Sequence, residues 1–415
     1  MPIITGDVLK KFNFVLIVVD TLRQEVAEKL ISKVGLDSGV FSNALIFKNC
    51  IAPAPWTLPS HVSMITGKYP SEHGSHETKE VKSLDIAKMR IKVPTIAGAL
   101  NSIGYSTYLI SSNPYIHPVY GFDEFKNFTE ETYFTDLQGH AIEVPKRLKP
   151  MLAKYRSKFG GNFFKIGFAM LKDDPALITE VRGLPETALL TFKNLLKKLN
   201  AKVIEGWPLE KGGKETTLKI RSQKIKAPFF YFINLMEAHE PYIGKKGRDF
   251  DLLTPYFKKQ PGDAIVKEWK TRYVKASAMG LGYAKQIATD LIERFGEEET
   301  IVMITSDHGQ SFAEGGDRFI GHGPCLIDEI VRVPFILKMP KYFRNIRTDG
   351  YVSHVNINNF IEAAINGDRN AAAKLISDKV YSETFGIQSN FKDNPEVDMK
   401  RAKRYDKYQK RAFGK

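Results

Sequence analysis

The sequence predicts an α/β protein built on a large, mostly parallel sheet between layers of helices. Three observations carry that expectation. Apolar runs rich in β-branched and aromatic residues recur along the chain, segments of helical character separate several of them, and polar clusters follow some of the runs directly. The first run, Phe14 to Val19, is apolar throughout, as a strand covered on both faces requires, and it stops at Asp20. Runs of the same kind follow at Tyr105 to Ile110, Phe229 to Leu235, Ile301 to Thr305 and Val333 to Lys338. Helices are expected over Pro94 to Ile103, Ala264 to Phe295 and Val355 to Ile365. Open α/β sheets place their sites at the strand ends, which is where the polar clusters fall.

Composition narrows the chemistry. With 415 residues, 43% of them apolar and 26% charged, the chain can bury a large core and has neither a disordered nor a fibrous composition. Its two cysteines, Cys50 and Cys325, cannot build a cysteine-rich metal site, so any metal must use Asp, Glu, His or hydroxyl ligands. No cationic leader precedes the first apolar run and no run approaches the roughly 20 residues that span a bilayer. The expected address is the cytoplasm.

The formal charge of +14 is unevenly spread. Residues 145–226 carry 19 Lys and Arg against 7 Asp and Glu, and residues 400–415 carry 8 against 1, leaving a mildly acidic remainder. Two basic regions suit an anionic polymer, a membrane surface or a polyanionic substrate, and a solvated basic surface with no partner accounts for them equally well. No aromatic-basic motif specifies a nucleic acid. The expected organisation is an α/β domain in two parts, residues 1–126 and 228–390, interrupted by a basic insertion at 127–227 and followed by a basic tail at 391–415. The insertion holds one amphipathic helix, Glu186 to Leu199, and reads as a lid, a partner surface or scaffolding.

Three clusters could carry chemistry. Asp20-Thr21 ends the opening strand, Pro55-Trp56-Thr57-Leu58-Pro59-Ser60-His61 leads into a helix at Val62 to Thr66, and Ser306-Asp307-His308-Gly309 follows the Ile301 to Thr305 run. Two further histidines, His239 and His322, join them. Carboxylates from two strand ends, with His308, could bind one divalent cation; oxygen ligands suit Mg, Ca or Mn, and the imidazole tilts the set toward Mn or Zn. The Thr57 hydroxyl could coordinate the same ion and attack an ester of phosphorus or sulfur, with helix N–H groups at Ser60 and His61 holding the anion. Taken singly, each residue has a plainer reading. Asp20 could be a helix cap or turn former, Thr57 an N-cap, and His239 a structural histidine.

The same segments resemble the sulfatase-like branch of the alkaline phosphatase superfamily. The likeness runs through FVLIVVDTLR, APAPWTLPSHVSMITGKYPSEHG, GYSTYLISSN, GFDEF, FINLMEAHEPY, ITSDHGQSF, GHGP and RVPFILKMP, spanning roughly 14–125 and 228–385. It implies an alkaline-phosphatase-like fold, a large mixed and mostly parallel sheet, with a shortened C-terminal part. It implies that Asp20, Asp307 and His308 are metal ligands and Thr57 the nucleophile. His239 matches a substrate-contacting histidine, His322 a candidate general acid, and Asn113 and His61 fall among positions that contact the substrate anion.

Departures from the family pattern bear on the substrate. Sulfatases of this kind carry Cys or Ser followed by x-Pro-x-Arg and oxidise it to an aldehyde, which hydrates to a geminal diol. Thr57 bears a methyl on its β-carbon and cannot form that aldehyde, and His61 stands in place of the arginine. A phosphothreonine can be broken by in-line attack of water or an alcohol, so phosphate mono- or diesters are the expected substrates, hydrolysed or transferred. The alternatives are a sulfatase without formylglycine and a non-catalytic binder of an anionic glycan, lipid or nucleic acid. Leu235 stands four residues before His239 where a second metal site would need Asp, so one ion is expected. Thr21 replaces a second Asp found in many sulfatases, which weakens the case for Ca.

Overall fold

The computed structural model describes residues 11–77, 86–130, 211–240, 254–314, 318–387 and 395–414. All of them fall in one compact unit, residues 1–131 with 206–415. The expected helix Glu186 to Leu199 and most of the basic insertion lie outside the described residues.

Thirteen strands are described: β1 Asn13–Val19, β2 Leu45–Ile51, β3 Ser106–Ser111, β4 Asn127–Glu130, β5 Phe229–Leu235, β6 Thr300–Thr305, β7 Ser311–Phe312, β8 Ile320–Gly321, β9 Arg332–Lys338, β10 Tyr351–Ser353, β11 Ile376–Ser377, β12 Lys379–Thr384 and β13 Gln409–Gly414. Nine of them form one sheet in the order β11-β10-β2-β9-β6-β1-β5-β3-β4. The pairs from β4 through to β6 are parallel, and β9 runs antiparallel to both β6 and β2. The expected alkaline-phosphatase-like sheet is therefore present, mixed and mostly parallel.

Each central strand feeds two cores. Along β1, Phe14, Leu16 and Val18 face a layer that includes Leu58, Val62, Ile96 and Phe360. Val15, Ile17 and Val19 face the other, with Val26, Leu30, Leu281 and Ile287. Successive side chains point to opposite faces, so a strand covered on both sides has to be apolar at every position. The expected helices appear as Ile96–Ser102, Asp263–Phe295 and Ile357–Ile365. Among the described residues no helix is long and apolar enough to cross a membrane.

Two segments differ from the expected outline. Asn127–Glu130, at the start of the expected insertion, pairs with β3 as the sheet edge. The basic tail is a packed element: a helix, Met399–Tyr405, leads into β13, which pairs antiparallel with β12. Ala402, Tyr405 and Phe413 supply the buried side chains that hold it down.

Candidate active site

Four strands deliver side chains to one end of the sheet. Asp20 follows β1, Asn234 sits near the end of β5, Asp307 and His308 follow β6, and Asn113 follows β3. β2 leads through residues 52–56 into the helix Thr57–Thr66. That helix starts five residues earlier than expected. Trp56 is its N-cap and Thr57 its first residue, with Pro59 in the first turn, where a missing N–H costs nothing. The Ser60 N–H is already spent on Trp56 O at 3.4 Å, so it is not free to hold an anion as expected, and the N–H groups without an intrahelical partner are those at the very start of the helix.

The donor cluster is tightly specified. Thr57 Oγ1 lies 3.4 Å from His308 Nε2. His308 Nδ1–H donates to Gly309 O at 2.9 Å, which leaves the Nε2 lone pair turned toward the carboxylates, 3.3 Å from Asp307 Oδ2 and 3.9 Å from Asp20 Oδ1. Asp307 Oδ1 accepts from the backbone N–H of Thr21 and His308 at 3.1 and 2.9 Å. Asp20 Oδ2 accepts from the amides of Asn113 and Asn234 at 3.0 and 3.4 Å. The remaining oxygens, Asp20 Oδ1 and Asp307 Oδ2, are buried without a hydrogen-bond donor. Leaving such atoms unpaired is costly, and a cation satisfies both. Asp20, Asp307 and His308 thus form a group that could hold a metal ion, with ligand atoms within 4.8 Å of one another.

The electrostatics agree. Burial, with repulsion from Asp307, raises the Asp20 carboxyl to about 6, and burial raises Asp307 to about 7 despite its backbone hydrogen bonds. Burial lowers His308, keeping its ring neutral as a ligand must be. Gly309 is required beside it, because a Cβ there would sit 2.2 Å from Glu329 O.

His61 and Asn113 sit behind this cluster. His61 is fully buried; its Nδ1–H donates to Thr57 O at 2.9 Å and its Nε2 accepts from Asn234 at 3.3 Å. Burial pushes it down to about 3. Both ring nitrogens are occupied, by the Thr57 carbonyl and the Asn234 amide, so the expected contact with a substrate anion is not open to it in this arrangement. The Asn113 amide likewise spends itself on Asp20.

A second group meets beside the first. His239, Glu240 and His322 place ligand atoms within 4.8 Å of one another, and the His322 ring centroid lies 4.4 Å from that of His308 and 5.2 Å from that of His239. Gln310 joins the group, accepting from His322 Nδ1 at 2.7 Å and donating to Glu240 Oε2 at 3.4 Å. The reading of an incomplete second site assumed a ligand four residues before His239; the fold instead brings the neighbouring Glu240 and a distant His322. Burial and the neighbouring imidazoles hold His322 well below the usual histidine range, so its resting form is neutral with Nε2 open as an acceptor. The general acid expected there therefore has to acquire its proton from an anion-bound state.

Sequence reasoning missed Asn234, Gln310, Glu240 and Lys211. Lys211 is buried, is lowered to about 8 by burial, and donates to the carbonyls of Glu237 and His239. The one available signal was Asn234, a polar residue inside the apolar run FFYFINL.

Comparison with known proteins now decides the family, since the sulfatase family matches residues 13–364. The chain belongs to the sulfatase family. Solved structures share its fold at low identity. A phosphonate monoester hydrolase from Silicibacter pomeroyi is 13% identical, with 90% of this chain and 80% of that one covered and a TM-score of 0.54. A 2-O GAG sulfatase, BT1596, is 13% identical over 92% and 79%, with a TM-score of 0.53. The C-terminal periplasmic domain of EptC from Escherichia coli is 11% identical over 95% and 94%, with a TM-score of 0.51. No curated protein sequence matches.

Proposed function

We propose that this sulfatase-family protein hydrolyses or transfers phosphate mono- or diesters through a covalent phosphothreonine at Thr57. A single divalent cation, Mn or Zn before Mg or Ca, would be held by Asp20, Asp307, His308 and the Thr57 hydroxyl. The observation that carries the reading is Thr57 Oγ1 at 3.4 Å from His308 Nε2, beside two buried carboxylate oxygens without donors. When bound, the ion supplies charge neutralisation for the carboxylates and the oxygen nucleophile.

The chain's own residues account for the rest. Thr57, having lost its proton to solvent, bonds through Oγ to phosphorus as the bond from phosphorus to the ester oxygen breaks. The Thr57 and Leu58 N–H groups face the anion. An anion seated against His239 and His322 raises their proton affinity, so His322 Nε2 takes up a proton from solvent as the anion binds and passes it to the departing alkoxide. Water or an alcohol then returns a proton to neutral His322 while its oxygen attacks phosphorus and the bond to Oγ breaks. Phosphorus is preferred over sulfur because Thr57 cannot become the aldehyde that expels sulfate. The basic regions favour an anionic ester with further negative charge nearby.

The test compares nitrophenyl phosphate, a nitrophenyl phosphodiester and nitrophenyl sulfate across Mn, Zn, Mg and Ca, with mass spectrometry of the acid-quenched protein. Phosphate turnover with an adduct on the Thr57 peptide is the expected result. Faster sulfate turnover overturns the substrate, and turnover unchanged in Thr57→Ala overturns the nucleophile.

A further inference from the structure

The packed tail presents a surface that the site chemistry does not use. Along the helix Met399–Tyr405 and the turn after it, Ala402 and Tyr405 face inward, and Met399, Lys400, Lys403, Arg404, Lys407 and Tyr408 are exposed. Met399–Lys403, Lys400–Arg404 and Lys403–Lys407 are each four residues apart, and the first two pairs lie on the helix itself. The ion pairs of the tail fall on Lys410 with Glu383 and Arg411 with Asp328, and none of Lys400, Lys403, Arg404 and Lys407 pairs with another described residue. Of the acids in this segment, Asp398 is consumed as the helix cap, accepting from the N–H groups of Lys400 and Arg401, and Asp406 accepts from the N–H of Ile387 at 3.5 Å.

Apolar exposure coincides with this charge. Four large hydrophobic side chains are exposed among the described residues, and two of them, Met399 at 37% and Tyr408 at 52%, bracket the cationic helix. We infer that this face docks on an anionic lipid surface, with Lys400, Lys403, Arg404 and Lys407 against headgroups and Met399 and Tyr408 entering the interface. Charge alone would suit any polyanion. The apolar side chains at either end of the charged stretch favour lipid, because a hydrated polymer offers no apolar phase to receive them. Docking here also sits close to the chemistry, since the tail braces the loop that bears His322: Arg401 donates to Arg318 O, Gln409 to Pro324 O and Arg411 to Leu326 O.

The inference is independent of the Thr57 reading and is tested without turnover. The full chain is sedimented with phosphatidylcholine vesicles and with phosphatidylcholine–phosphatidylglycerol vesicles at low and high salt. Binding to the anionic vesicles only, weakened by salt, is expected. Replacing Lys400, Lys403, Arg404 and Lys407 by Gln together should weaken it at least about ten-fold, and Met399→Ser with Tyr408→Ser should weaken it several-fold. No sedimentation, equal binding to neutral vesicles, or wild-type binding by the four-fold variant overturns the assignment. Should either variant misfold, the wild-type chain is challenged with dextran sulfate. Tighter binding to the anionic vesicles than to dextran sulfate at equal negative charge supports lipid, and binding to dextran sulfate that is as tight or tighter shows a soluble polyanion is the partner instead.

Discussion

The two halves of the site are built differently. Asp20, Asp307 and His308 stand on the last turns of backbone leaving β1 and β6, and Thr57 begins a helix that is buried at every position. Asp307 and His308 are aimed by main-chain groups, Thr21 and His308 N–H on Asp307 and Gly309 O on His308, while Asp20 is aimed by the side-chain amides of Asn113 and Asn234. His239, Glu240 and His322 instead come from loops, and a side chain, Gln310, links two of them. Groups that must hold a fixed geometry lie on the sheet. Groups that must meet substrates of varied shape lie where the chain can be altered without rebuilding it.

That contrast can be broken first at its rigid half. Thr57→Ala should cut turnover by about a thousand-fold or more while the fold survives, read from kcat and the melting temperature. Asp307→Asn comes next, with activity down by about a hundred-fold and metal affinity weakened in a calorimetric titration.

The same variant has a pH signature. The folded carboxyls sit at about 6 and about 7, above the ordinary value of 3.8, so their stabilising contribution is complete below about 4 and lost as pH rises through 7. Buried histidines pushed to about 3, such as His61 and His354, act oppositely, losing stability as pH falls below 6.5. Measured against Asp307→Asn, the chelated wild-type protein should therefore lose melting temperature between about pH 4 and 7 and little beyond, and added divalent ion should abolish that loss.

The loop half is probed with smaller steps. His322→Gln should slow the second step by about ten- to a hundred-fold, so that phosphoprotein accumulates in a quenched time course. Gln310→Leu should cost only about ten-fold, through disorder of His322, with the pH profile of kcat shifted. Equal losses for His322→Gln and Gln310→Leu would show that positioning is all His322 contributes.

The legibility of the sequence divides along the same line. Five of the nine sheet strands, β1, β3, β5, β6 and β9, were visible because two-sided burial forces uninterrupted apolar runs, and Asp20 and Asp307 were visible because they follow two of them; β2, β4, β10 and β11 were not seen, being short or interrupted by exposed positions. The helix was expected from Val62, after the Pro55 to His61 cluster, and it begins at Thr57 because a first turn needs no N–H at Pro59. Asn234 hid inside an apolar run. The grouping of Glu240 with His322 could not be seen, because loop closure rather than periodicity brings them together.

One contact joins the halves. The N–H of Gly323 donates to Pro55 O at 2.9 Å, so the segments bearing the nucleophile and the distal imidazole are fastened through main chain alone. Side-chain replacement at neighbouring positions cannot delete that fastening. A lineage altering the residues around it could thus trade side chains freely while Thr57 and His322 keep their mutual spacing.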